Sequence, residues 1–205
     1  MSALFLLSGC LPRLKSSGLS SSNQAVLSGW FGFKQLGATT IGSASSGDDF
    51  VYRITTDALG NTLVVGTTNG SLFETNGGGQ DVFVTKWNSN GAIVWKKQLG
   101  SITIGAGASG NEDAYGGIVT NSQGDVFIGG STTGSLGEAA AAGGDVFVAK
   151  LSGSTGNVLW VRQLGNVTIG AAANGLEGIY SMKIDPVSGD LVATGHTNGS
   201  LYGAV

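Results

Sequence analysis

The chain has 205 residues, with 37 glycines, two prolines, only 11 % charged residues and a formal net charge of −3. This acidic, weakly charged composition excludes a phosphate-binding surface, so nucleic acid is not an expected partner. The glycine follows no Gly-X-Y period, which excludes collagen, and four Trp, four Tyr and eight Phe with a normal apolar fraction exclude a disordered chain.

The first element is a short apolar stretch at residues 3–7, followed by Leu7-Ser8-Gly9-Cys10. Cys10 is the one cysteine, so an internal disulfide and a cysteine-ligated zinc site are both excluded. The stretch resembles a bacterial lipobox, in which small residues before the cysteine permit cleavage and the thiol carries lipid. On that reading residues 1–10 are a lipoprotein-type signal segment and Cys10 is the lipidation site. The alternative is an incidental or buried thiol. Residues 11–28, with a serine-rich run at 16–22, read as a flexible tether. No apolar run reaches the roughly 18 residues of a membrane-spanning helix, so membrane contact is expected through the lipid alone.

From residue 29 onward the sequence repeats at a spacing of about 64 residues. Gln-Leu-Gly stands at 35–37, 98–100 and 163–165, Thr-Ile-Gly at 40–42, 103–105 and 168–170, and Gly-Ser-Leu at 70–72, 134–136 and 199–201. Such self-similarity marks units that cover one another's apolar faces. One unit reads as four strands. A segment over 115–120 and a turn over 121–125 lead to a strand at 126–131. A longer loop then leads to Asp145-Val146-Phe147-Val148, a second turn and a strand at 158–163. The third strand is apolar on both sides, at 82–84 and 146–148, and so is expected to be covered on both faces. Four-stranded antiparallel sheets packed face to face are the arrangement of a propeller. A β-solenoid is the competing all-β reading.

The pattern Gly-Gly-x-Asp-x-Phe-Val-x-Lys, then a turn, then Trp-x-x-Gln-Leu-Gly, occurs at 78–86 with 95–100. It returns, one residue shorter before Asp145, at 143–150 with 160–165. This resembles the bacterial β-propeller repeat (SBBP) family, and the resemblance implies an all-β propeller-type array and an envelope lipoprotein. The expected organisation is an outer strand at 29–37, whole blades at 49–100 and 112–165, and a half blade at 177–205. Propellers close with roughly four to eight blades. The strand count therefore reads as a truncated product, with self-association as the next reading.

Candidate site residues are few. Asp49, Glu112 and Glu177 each lie three residues before a repeated tyrosine (Tyr52, Tyr115, Tyr180). Placed around one axis, these acids would offer a Ca²⁺ ion a ring of oxygens. The simpler reading has each acid accepting backbone N–H bonds at the entry to its strand. Asp81 and Asp145 head the third strands and read as structural Asx turns. Trp95 and Trp160 are expected to pack between sheets, and Lys86 and Lys150 to be solvated strand ends. His196 is the one histidine and has no metal-ligand or base partner in the sequence pattern. With no nucleophile elbow or phosphate loop, the chain reads as non-catalytic. Its loops at 71–79 and 135–144 would bind a protein or carbohydrate in the bacterial envelope. Two other readings stand beside this one: a propeller-type hydrolase or lyase with a channel metal, and a non-functional remnant of a longer repeat protein.

Overall fold

The computed structural model describes residues 26–27, 31–32, 47–100, 110–136, 143–165 and 177–197. Two short strands, β1 (Val26–Leu27) and β2 (Phe31–Gly32), pair antiparallel with each other. The outer strand expected over 29–37 is therefore described only at Phe31–Gly32. Its partner lies within the span read as a tether.

Short runs of β-branched and aromatic residues between tight turns then build two four-stranded antiparallel meanders. The first contains β3 (Asp49–Thr56), β4 (Thr62–Thr68), β5 (Asp81–Trp87) and β6 (Ile93–Leu99), hydrogen-bonded in chain order. The second contains β7 (Glu112–Thr120), β8 (Val126–Thr132), β9 (Asp145–Leu151) and β10 (Val158–Leu164) in the same order. A third antiparallel pair joins β11 (Glu177–Ile184) to β12 (Leu191–Thr197). Every described element is a strand.

The first hairpin of each sheet closes through one glycine in the left-handed region: Gly60, Gly124 and Gly189, with φ of 77°, 84° and 79°. A side chain is strained there, which is why the sequence keeps glycine at this place in all three copies. Each of these glycines donates its N–H to the first turn residue, Asp57, Asn121 or Asp185. The cross-strand register is also common to the three sheets, pairing Asp49 with Thr68, Glu112 with Thr132 and Glu177 with Thr197.

The sheets stack, with β7 lying against β3 on one side and β11 on the other. Val82, Val84, Trp95 and Leu99 of the first sheet join Ile128, Phe147, Ala149 and Leu151 of the second in one buried cluster. Backbone bonds cross between sheets at a repeated place. The Glu112 N–H donates to Gln80 O at 2.8 Å and the Glu177 N–H to Gly144 O at 3.0 Å. Each acceptor directly precedes the aspartate that heads a third strand.

The opposite face of the first sheet carries a second cluster of Leu72, Phe83 and Trp87. β5 is thus covered on both faces, and all seven of its residues are buried. β9 instead alternates buried and half-buried residues, so the expectation of a doubly covered third strand holds for β5 and fails for β9. The reason is a neighbour: β9 faces a sheet with only two described strands.

Candidate functional site

One buried polar network recurs at the same end of both full sheets, and its parts are the repeated motifs. The side-chain amide of Gln98 accepts from the N–H groups of Leu72 at 2.8 Å and Phe73 at 3.0 Å. Its nitrogen donates to Gly70 O and to Asp81 Oδ2, both at 2.8 Å. Gln163 repeats this arrangement, accepting from Leu136 N–H at 2.7 Å and donating to Gly134 O at 3.0 Å and Asp145 Oδ2 at 2.6 Å. The glutamine of Gln-Leu-Gly therefore clamps the Gly-Ser-Leu loop to the aspartate of the third strand. The glycine of Gln-Leu-Gly is needed for the same reason. A Cβ on Gly100 or Gly165 would run into the carboxylate of Asp81 or Asp145.

Asp81 and Asp145 are buried, and each accepts from the glutamine of its own sheet. Asp81 accepts backward, from Gly77 N–H at 2.9 Å, and across the sheet from Gln98. Burial pushes the Asp81 carboxyl above its ordinary value, and the Gln98 and Gly77 bonds pull against that rise.

The three repeated acids have threonine side-chain partners. Glu112 accepts from the Thr132 hydroxyl at 3.0 Å, and Glu177 from Thr197 at 3.1 Å. Burial raises the Asp49 carboxyl, opposed by a hydrogen bond from Thr68. Thr132 passes the link on to the Gly134 N–H at 2.9 Å, and Thr68 does so to Gly70 at 3.1 Å. Asp49 and Glu112 are thus the far ends of the networks that hold their own loops. Among the described residues, no three His, Cys, Asp or Glu side chains lie where they would share a metal ion. Asp49, Glu112 and Glu177 are not brought together as a Ca²⁺ ring.

The repeated tyrosines lie at the seam between the first strands. Tyr52 and Tyr115 have ring centroids 4.5 Å apart. Tyr52 donates its hydroxyl to Asp113 at 3.3 Å and accepts from Thr67 at 3.1 Å. Burial pushes both the Tyr52 hydroxyl and the Asp113 carboxyl upward. His196 stacks on Tyr180 at 4.9 Å.

Lys86 corrects the sequence reading. It is buried, not solvated, pairs with Asp57 at 2.8 Å and donates to Gly153 O of the next sheet at 2.7 Å. Lys150 is half-buried and pairs with Asp125 at 2.7 Å. Trp95 packs between sheets as expected, and its indole N–H also donates to Gly153 O, at 3.0 Å. Trp160 is only half-buried and meets Phe127 of its own sheet edge-on at 6.0 Å. Cys10 lies outside the described residues, as does most of the loop over 135–144.

Residues 32–74 match the family model described as a beta-propeller repeat, SBBP. This segment is similar to an SBBP repeat. It covers about a fifth of the chain, and it starts before β3 and stops inside the Gly-Ser-Leu loop. The SBBP unit is therefore out of phase with the sheets: it begins ahead of one sheet and takes in that sheet's first two strands. The Gln-Leu-Gly and Gly-Ser-Leu triplets inside the matched segment recur at 98–100 with 134–136 and at 163–165 with 199–201. No curated protein matches the chain.

Proposed function

We propose that the chain is a propeller-type scaffold of a bacterial envelope lipoprotein, one that binds a protein or carbohydrate and performs no catalysis. The observation that supports this most is the network of Gln98 and Gln163, whose bonds to a loop N–H, a glycine carbonyl and the third-strand aspartate recur in consecutive sheets. It fixes the base of the Gly-Ser-Leu loops at 70–72 and 134–136 and leaves positions such as Thr75 and Gly79 exposed in the first. A rigid base under an exposed loop suits recognition, since specificity resides in loops carried by a stiff framework. The repeated hairpin turns at 57–61, 121–125 and 185–190 occupy the opposite end and would face away from the partner. Cys10 would carry the lipid that holds the scaffold at the membrane.

Two measurements test the reading. In bacterial cells making the full chain, a photo-crosslinking residue at Thr75 should capture a discrete partner, and one at Leu59 in the opposite turn should not. Equal capture at both, or at neither, overturns the loop assignment. Mass spectrometry of the envelope protein should find an acyl-modified Cys10 at its N-terminus. An unmodified Cys10 peptide overturns the anchor.

A further inference from the structure

We infer that the outer edge of β12, together with the cleft beside it, is a docking site for one extended strand of the repeat's own third-strand type. That strand would have the pattern Asp-x-Phe-x-x-Lys and lead into a glycine turn. The inference rests on reading the sheets as stacked repeat units.

The cleft has a volume of about 390 Å³ and lies between Val146, Val148, Arg162 and Leu164 of the second sheet and Ala193 and His196 of β12. The repeat itself says what fills such a place. Val82, Val84 and Leu99 occupy the same repeat positions in the first sheet, and there they share one buried cluster with Phe147, Ala149 and Leu151 of β9. As a result Leu99 is 1 % exposed, whereas Leu164 is 43 % exposed. β9 reaches that place by pairing with β8, Asp145 opposite Thr132, Phe147 opposite Gly130 and Lys150 opposite Phe127. Carried to the third sheet, this register sets the partner's aspartate opposite Thr197, its phenylalanine opposite Gly195 and its lysine opposite Val192. Among the described residues the outer edge of β12 has no strand beside it.

Charge points to the same occupant. In both full sheets a third-strand lysine pairs with an acid of the first hairpin turn: Lys86 with Asp57, which opens its turn, and Lys150 with Asp125, which closes its own. The β11–β12 turn has acids at both places, Asp185 and Asp190, and neither forms an ion pair among the described residues. The turn that follows the docked strand also has a waiting donor. Gly153 O of the second sheet accepts from Lys86 and Trp95 of the first. Trp160, at the place of Trp95, has no such acceptor among the described residues. A second copy of this chain is not the occupant, because its own strands of this pattern, β5 and β9, are paired on both edges.

The probe is a synthetic peptide of residues 144–157, which contains Phe147, Lys150 and Gly153 and no tryptophan. Added to the full chain, it should saturate, shift tryptophan emission to the blue and move the amide NMR signals of residues 191–197. Peptide carrying Lys150→Glu should bind about tenfold more weakly. In the chain, Asp185→Asn with Asp190→Asn should weaken the unmodified peptide by a similar factor and remove the discrimination against the Lys150→Glu peptide. Both asparagines are tolerated in the sibling turns, where Asn121 and Asn61 hold those places. Failure of the peptide to bind a chain whose β3–β10 signals are those of a folded protein overturns the inference. Binding that ignores these charges overturns it too, as does self-association that alone shifts residues 191–197. Absence of cross-strand contacts within β3–β10 would instead overturn the repeat reading beneath it.

Discussion

Lys86 shows how a single side chain can bind three parts of the molecule. Lysine is rarely buried without a partner; this one joins the β3–β4 turn through Asp57 to the next sheet through Gly153 O. Asp57 in turn accepts from the N–H groups of Leu59 and Asn61, both at 2.9 Å. Burial pushes the Asp57 carboxyl upward, and bonds from Asn61 and Lys86 outweigh it and hold the group at about 2. Lys86→Met should cost about 3–5 kcal/mol in urea unfolding, because it leaves a buried charge uncompensated. Lys150→Met, at a half-exposed pair, should cost under about 1 kcal/mol. Equal losses at the two lysines would refute the assignment. The pH dependence follows from the same pair. An unfolded aspartate titrates near roughly 3.9, above the folded value, so the fold favours the ionised form. That stabilisation is complete above about pH 4 and drains away as the pH falls toward 2. Asp49, Asp81 and Asp113 have raised carboxyls and act in the opposite sense, weakening the fold as pH rises above about 4. Asp57→Asn, though less stable overall, should therefore show a flatter loss of stability between pH 4 and 2 than the native chain.

At the scale of strands and loops, the glutamine clamp carries the structure of each repeat. Gln98→Leu keeps the volume but strands the Leu72 and Phe73 N–H groups, Gly70 O and the Asp81 carboxylate. At about 1–3 kcal/mol for each buried group left unsatisfied, the loss should exceed about 3 kcal/mol. A variant within about 1 kcal/mol of the native chain, measured by urea unfolding, would show that water replaces the amide. Much of this element structure was legible in the sequence. The triplets located the glutamine and the loop it holds, the Gly-Gly-x-Asp pattern located the aspartate, and glycine turns between short β-branched and aromatic runs located the hairpins and strands. The connection between parts was not legible, because Gln98 and Leu72 are 26 residues apart and nothing in either triplet names the other. Lys86 was misread for a different reason. A lysine at a strand end is usually solvated, and its burial here depends on Gly153 of another sheet. The threonine partners of the repeated acids were not legible either, because they lie on the adjacent strand and emerge only from the cross-strand register.

Across the whole molecule, equal sequence positions become unequal because the sheets have unequal neighbours. Trp95 and Trp160 are the same residue of the repeat, yet only Trp95 is covered by a following β9–β10 hairpin. Trp95→Ala should cost about 3–5 kcal/mol, the usual loss for a core tryptophan, and Trp160→Ala at least about 1.5 kcal/mol less. The same inequality governs opening of the strands. Among the described residues, β4 and β8 are hydrogen-bonded on both edges, and β12 on one. Amides paired on the inner side of a sheet exchange only when the sheet itself opens, whereas outward amides of an edge strand need only a local fluctuation. Hydrogen exchange followed by NMR should therefore give slow, uniform protection along β4 and β8. Along β12 it should alternate, with every second amide exchanging at least about a hundredfold faster than its neighbours. Uniform protection along β12 in the isolated chain would mean that its outer edge is already paired. The outward amides are also those a docked strand would cover. Their protection should rise on adding the 144–157 peptide while β4 and β8 stay unchanged, which separates edge pairing from a general gain in stability.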